Sequence, residues 1–209
     1  MAIKNTQLSI FILAVLHVVG WLGIYCAWHP DFVLLTPVNL LVCLAIVLLH
    51  HPNWSVATLL TLVFVAVGGW ALEVYGVTTG ALFGDYHYGR TLGWQYQSVP
   101  MAMAINWVST IYCTGVLVNH GFERWHIVLK SVIGAAATVS LDVLIEPIAM
   151  RYDFWQWKNN FVPGQNYYAW GIISFGFLLI FNLFQGKIKN KVAVALLILQ
   201  FLFFAALIW

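Results

Sequence analysis

Seven stretches of this chain are long and apolar enough to cross a bilayer, which takes a helix of about 20 mostly apolar residues. They run roughly over Leu8–Trp28, Phe32–Leu49, Ser55–Tyr75, Val99–Val118, Ile127–Met150, Tyr168–Gln185 and Lys191–Trp209. Short breaks of turn formers separate most of them: His29-Pro30-Asp31, His50-His51-Pro52-Asn53 and Gln185-Gly186-Lys187. Two connections are longer, 76–98 and 151–167. Only 8% of residues are charged and 62% are hydrophobic, against about 25% charged in ordinary soluble domains. A soluble domain of this make-up would expose large apolar patches. The expected fold class is an all-α polytopic membrane protein, about seven transmembrane helices in a single bundle. With no internal repeat, linker or low-complexity segment, one integral-membrane domain over 1–209 is expected. The N-terminal run resembles a signal peptide, but it continues to about Trp28 without a small-x-small cleavage pattern and reads as a retained helix.

Several function classes are excluded or left without support. A formal charge of +2, scattered along the chain, gives no footing for nucleic-acid binding. Cys26, Cys43 and Cys113 lie in apolar runs with no CxxC spacing, so neither a disulfide framework nor a thiolate metal site is indicated. The histidines (His17, His29, His50, His51, His87, His120, His126) contain no i,i+4 pair and no HxxHH, which argues against a di-iron membrane hydroxylase. No lysine follows Val192, which removes a retinal Schiff base; no phosphate-cradling loop or nucleophile elbow is visible. No metal and no cofactor is expected.

Positive charge sets an orientation. With seven spans, Lys4, Arg124, Lys130, Lys187, Lys189 and Lys191 share one side, and Arg90, Arg151 and Lys158 the other. That bias favours a cytoplasmic N-terminus and an outer C-terminus.

Five of the seven acidic residues, Glu73, Asp85, Asp142, Glu146 and Asp153, lie inside or beside the apolar runs. Charge at membrane depth is expensive and normally faces a protein interior with a role to play. If the span count is right, Glu73, Asp142, Glu146 and Asn106 all fall in one leaflet, on the side of both long connections. Asp142 and Glu146, four residues apart, share a helix face. Two ionised carboxylates there would repel in a poorly solvated setting, so one of the pair is expected to hold a proton, as a general acid must. Pro147 follows directly and can free a backbone carbonyl nearby. Wetted helix-end carboxylates are the structural alternative. Glycines with interleaved aromatics after Glu73 (Gly76, Gly80, Gly84, Gly89) suggest a tight re-entrant or capping segment. Within it Asp85 and Tyr88 either bond inside a site or cap a turn. The rings of 152–170, Trp155, Trp157 and Trp170 among them, read either as an aromatic belt at headgroup level or as the mouth of an apolar ligand site.

Taken in order, Glu73-Val-Tyr-Gly-Val-Thr-Thr-Gly80, Phe83-Gly-Asp-Tyr-x-Tyr88, Val99-Pro100 with Asn106-Trp107, Asp142-x-x-x-Glu146-Pro147, Trp155-x-Trp157 and Pro163-x-x-Asn166 to Trp170 resemble the CruF-like carotenoid biosynthesis family. The likeness spans about residues 70 to 170. It implies a carotenoid 1',2'-hydratase, related to the bisanhydrobacterioruberin hydratases: acid-catalysed addition of water to the terminal double bond of an acyclic ψ-end carotenoid, giving a tertiary alcohol without a cofactor. On that resemblance Glu73, Asp142, Glu146 and Asp85 are candidate catalytic residues. Asn106, Trp107, Tyr88, Trp155, Trp157, Asn166 and Trp170 are candidate substrate-binding residues. The substrate would enter from the lipid membrane, other carotenoid-pathway enzymes are conceivable partners, and the oligomeric state stays open. Alternatives are a lycopene-type cyclase or double-bond isomerase, or a carotenoid-binding or transport protein without chemistry.

Overall fold

The computed structural model describes residues 5–185 and 188–208. Lys4, Gly186, Lys187 and Trp209, named above, lie outside the described residues. Seven helices carry the chain: α1 (Thr6–Tyr25), α2 (Thr36–Leu49, entered through a 3₁₀ turn at Phe32–Leu35), α3 (Val56–Thr79), α4 (Ala102–Gly121), α5 (Ile127–Arg151), α6 (Gly164–Gln185) and α7 (Lys191–Ile208). All seven, α2 taken together with its entering turn as Phe32–Leu49, are long and apolar enough to span a bilayer, and the chain is an integral membrane protein. Their starts follow from local chemistry. Asn5 and Ser55 accept hydrogen bonds from the amides of Leu8 and Thr58 at 3.1 Å each, satisfying N–H groups that a helix leaves unpaired. Pro37 sits in the first turn of α2, where its missing N–H costs nothing.

α4 is the central helix, with most of its length buried, while α1, α2 and α3 turn large apolar faces outward. α5 packs along α6, α3 along α4, and α7 lies among α1, α4 and α5. Gly69 permits the close approach of α3 to α4, because a Cβ there would run into the indole of Trp107.

Several helix ends shift by a few residues from the sequence expectation, and two of the shifts lie at the site. α3 continues past Tyr75 to Thr79, since Gly76-Val-Thr-Thr contains no strong breaker. Thr78 and Thr79 bond back to the carbonyls of Val74 and Tyr75 at 2.7 Å, and the helix stops at Gly80, which takes a left-handed φ of 66°. α6 begins at Gly164 rather than Tyr168, which brings Asn166 into its first turn.

The long connections form a cap made of short strands, which the helix-only reading did not foresee. β1 (Tyr86–Tyr88) pairs antiparallel with β4 (Trp155–Trp157), Tyr86 opposite Trp157 and Tyr88 opposite Trp155. β2 (Gln95–Tyr96) and β3 (Val99–Pro100) form a small hairpin whose two turn residues, Gln97 and Ser98, both take positive φ. Asp153 knits the two connections together, its carboxylate accepting from the amide of Arg90 at 3.1 Å.

Candidate active site

Alternation along the β1–β4 ribbon decides the geometry of the site. Side chains of a strand alternate between faces with period 2, so Tyr86, Tyr88, Trp155 and Trp157 share the inward face, and His87 is left exposed. Beneath that face lie the ends of α3 and α5 with their glutamates. Glu73 Oε2 accepts from the hydroxyls of Tyr86 at 2.6 Å and Tyr88 at 2.8 Å, and Oε1 accepts from the indole N–H of Trp107 on α4 at 3.0 Å. Glu146 Oε2 accepts from both indoles of the ribbon, Trp155 at 3.0 Å and Trp157 at 2.8 Å. Each glutamate thus holds three donors when Asn166 is included, because the Asn166 side-chain N–H₂ bridges Glu146 Oε1 at 3.1 Å and Asp142 Oδ2 at 2.9 Å.

Glu73, Asp142 and Glu146 are each only 2% exposed. Three carboxyl groups share this interior, every donor to them is neutral, and among the described residues no basic side chain pairs with any of them. An unpaired buried polar atom is costly, which accounts for the density of Tyr, Trp and Asn donors around them. Burial first, and then the neighbouring Glu73, push the Tyr86 and Tyr88 hydroxyls well above the usual tyrosine range, so both stay O–H donors. Asp142 differs from the two glutamates. Only Asn166 donates to it, and its second oxygen has no hydrogen-bond partner among the described residues.

Two cavities meet here and share Met103, Trp155 and Trp170 as walls. The smaller is lined by Glu73, Glu146 and Asn166 with the rings of Phe83, Tyr86, Tyr88 and Trp157. The larger has Asp142 on its wall and extends between α4, α5 and α7 to Leu40 of α2. Trp170 stacks on Trp107 at 4.1 Å with the planes 10° apart, so the ring that separates the cavities is itself fixed by α4.

Of the sequence candidates, Glu73, Asp142, Glu146, Tyr88, Trp107, Trp155, Trp157, Asn166 and Trp170 come together in this cluster, and Asn106 lines the larger cavity. Asp85 does not join them. Its side chain is 58% exposed and ion-paired to Lys158 at 2.8 Å on the outside of the ribbon, and its carbonyl accepts from the Lys158 amide. The strand alternation that turns Tyr86 inward turns Asp85 outward. Tyr86 itself was missed. The Tyr-x-Tyr spacing was the available signal, since in a strand both rings must face one way.

Residues 32–209 match the family described as "Carotenoid biosynthesis protein". No curated protein and no solved structure matches the chain.

Proposed function

This chain belongs to the carotenoid biosynthesis protein family, and from that premise we propose that it is a carotenoid 1',2'-hydratase, adding water to the terminal double bond of an acyclic carotenoid. The observation that carries the reading is Asp142: a buried carboxyl held by Asn166 on one oxygen, its other oxygen without a hydrogen-bond partner among the described residues, on a residue that lines a mostly apolar cavity. Indole N–H groups can only donate, so the glutamate oxygens facing Trp107, Trp155 and Trp157 must present lone pairs. Asp142 is the carboxyl whose second oxygen has no partner among the described residues, and that oxygen can carry a proton toward a substrate.

In this reading Asp142 is the general acid. It protonates the alkene carbon distal to the gem-dimethyl group, the π bond supplying the electrons for the new C–H bond. The tertiary cation that results lies against the rings of Trp155 and Trp170, and the carboxylates of Glu73 and Glu146 behind them favour positive charge. Water then forms the C–O bond. The oxonium returns a proton, through water in the cavity, to the Asp142 carboxylate, so the acid is restored. The reaction is redox-neutral and needs no electron carrier. The polyene enters from the bilayer, with only its end group in the cavity, and the membrane is a bacterial or archaeal cytoplasmic one with the N-terminus on the cytoplasmic side.

The test is mass-resolved chromatography of pigments from a bacterial host making an acyclic carotenoid, with and without this chain. A more polar product one water heavier supports the hydratase. A product of unchanged mass with a shifted spectrum supports a cyclase or isomerase instead, and unaltered pigment held stoichiometrically by the purified protein supports a binding role. Intact hydration after both Asp142→Asn and Glu146→Gln would refute the acid assignment.

A further inference from the structure

α7 is apolar from Val192 to Ile208 except at one position, Gln200. An amide in the middle of a membrane helix is costly unless it is bonded, yet Gln200 makes no hydrogen bond to protein among the described residues. It is 7% exposed, its Oε1 is fully buried without a partner, and the residue lines the same cavity as Asp142. α4 lines the same cavity with Asn106 and Thr110, one helical turn apart and therefore on one face. Neither of these side chains has a hydrogen-bond partner among the described residues, and both line the cavity. Thr138, by contrast, is already bonded to the Gly134 carbonyl at 3.1 Å. Three polar side chains from two helices thus keep unused hydrogen-bonding capacity, among the described residues, around the cavity that Asp142 also lines. Buried polar groups are nearly always paired, with ordered water where protein is lacking, and a buried water takes two to four such partners.

We propose that Gln200, together with Asn106 and Thr110, binds the water that adds to the substrate, on the side of the end group away from Asp142. This rests on the hydratase reading and gives it a nucleophile site. The Gln200 carbonyl accepts one water O–H, so a lone pair is left pointing at the carbon from which the π electrons have just been withdrawn. The same oxygen becomes the tertiary hydroxyl, so one site serves nucleophile and product. Gln200 positions the water and takes no proton.

Removing the water site while keeping the acid separates the two half-reactions. In D₂O, Asp142 still delivers a deuteron to the alkene. Without a positioned water the cation instead gives a proton to the Asp142 carboxylate, the C–H electrons reform the π bond, and the regenerated alkene carries deuterium. The experiment incubates purified protein with lycopene in lipid vesicles in D₂O and measures hydrated product and deuterium in recovered substrate by mass spectrometry. For Gln200→Leu the expected result is a loss of hydration on the order of 100-fold, with deuterium in recovered substrate maintained or raised. Gln200→Met, also unable to bond but flexible, gives the same split and serves where the leucine variant does not assemble. Gln200→Asn, which keeps the amide, recovers part of the hydration. Unchanged hydration in the Leu and Met variants, or hydration and exchange falling by the same factor, overturns the assignment. If the unaltered protein gives neither hydration nor exchange, the hydratase reading itself fails, and this one with it.

Discussion

Glutamine is the closest replacement in shape for glutamate, yet the hydrogen-bond geometry makes it costly at position 146 and cheap at position 73. Glu146 is surrounded by donors: two indole N–H groups on Oε2 and the Asn166 N–H₂ on Oε1. A glutamine offers one carbonyl oxygen and one N–H₂ group. With the N–H₂ toward Trp155 and Trp157, two buried donors lose their acceptor, because an indole cannot accept in return. With the N–H₂ toward Asn166, that amide must turn over, and Asp142 Oδ2 loses its one donor among the described residues. Either way at least one buried group is left unpaired, at about 1–3 kcal/mol. Glu73 has one indole on Oε1 and two tyrosine hydroxyls on Oε2. Hydroxyls both donate and accept, so a glutamine there keeps its carbonyl on Trp107 and donates to the tyrosines, within about 1 kcal/mol of the original. For a chain of this length 1 kcal/mol moves Tm by about 2–4 °C. Glu146→Gln should therefore lower Tm by about 2–12 °C, and Glu73→Gln by less than about 4 °C. Thermal unfolding followed by tryptophan fluorescence in one lipid or detergent system measures both. A Glu146→Gln protein that melts as late as Glu73→Gln, or later, would refute the donor accounting.

Asp142→Asn should cut both hydration and deuterium exchange by about 10²–10⁴-fold, the usual worth of a positioned general acid, in the vesicle assay. Asp85→Asn should leave hydration and Tm at their original values in the same measurements; a large loss of activity would return Asp85 to the reacting groups. Gly69→Ala pushes a methyl into the Trp107 ring and should cost about 1–3 kcal/mol by overpacking. Activity should fall with it, because Trp107 is the donor that fixes Glu73 Oε1; an alanine variant with unaltered Tm and activity would contradict the close packing of α3 on α4.

The sequence by itself determined the seven helices and the shared level of Glu73, Asp142 and Glu146, because bilayer thickness fixes span length and a span count fixes which helix ends lie together. It also put Asp142 and Glu146 on one face, a consequence of the helical repeat alone. Only the tertiary structure decided what these acids touch. β1 and β4 are separated by more than sixty residues of chain, and nothing local in Tyr86-His-Tyr88 says that Trp155-Gln-Trp157 will pair with it. That pairing turns four rings toward the glutamates and sends Asp85, a neighbour of Tyr86 in the chain, out to Lys158. Gln200 was equally silent in sequence, a lone amide in an apolar helix, until packing set it in the cavity that Asp142 lines. Periodicity is a property of neighbours along the chain. Hydrogen-bond partnership between distant segments depends on which faces meet, and packing alone settles that.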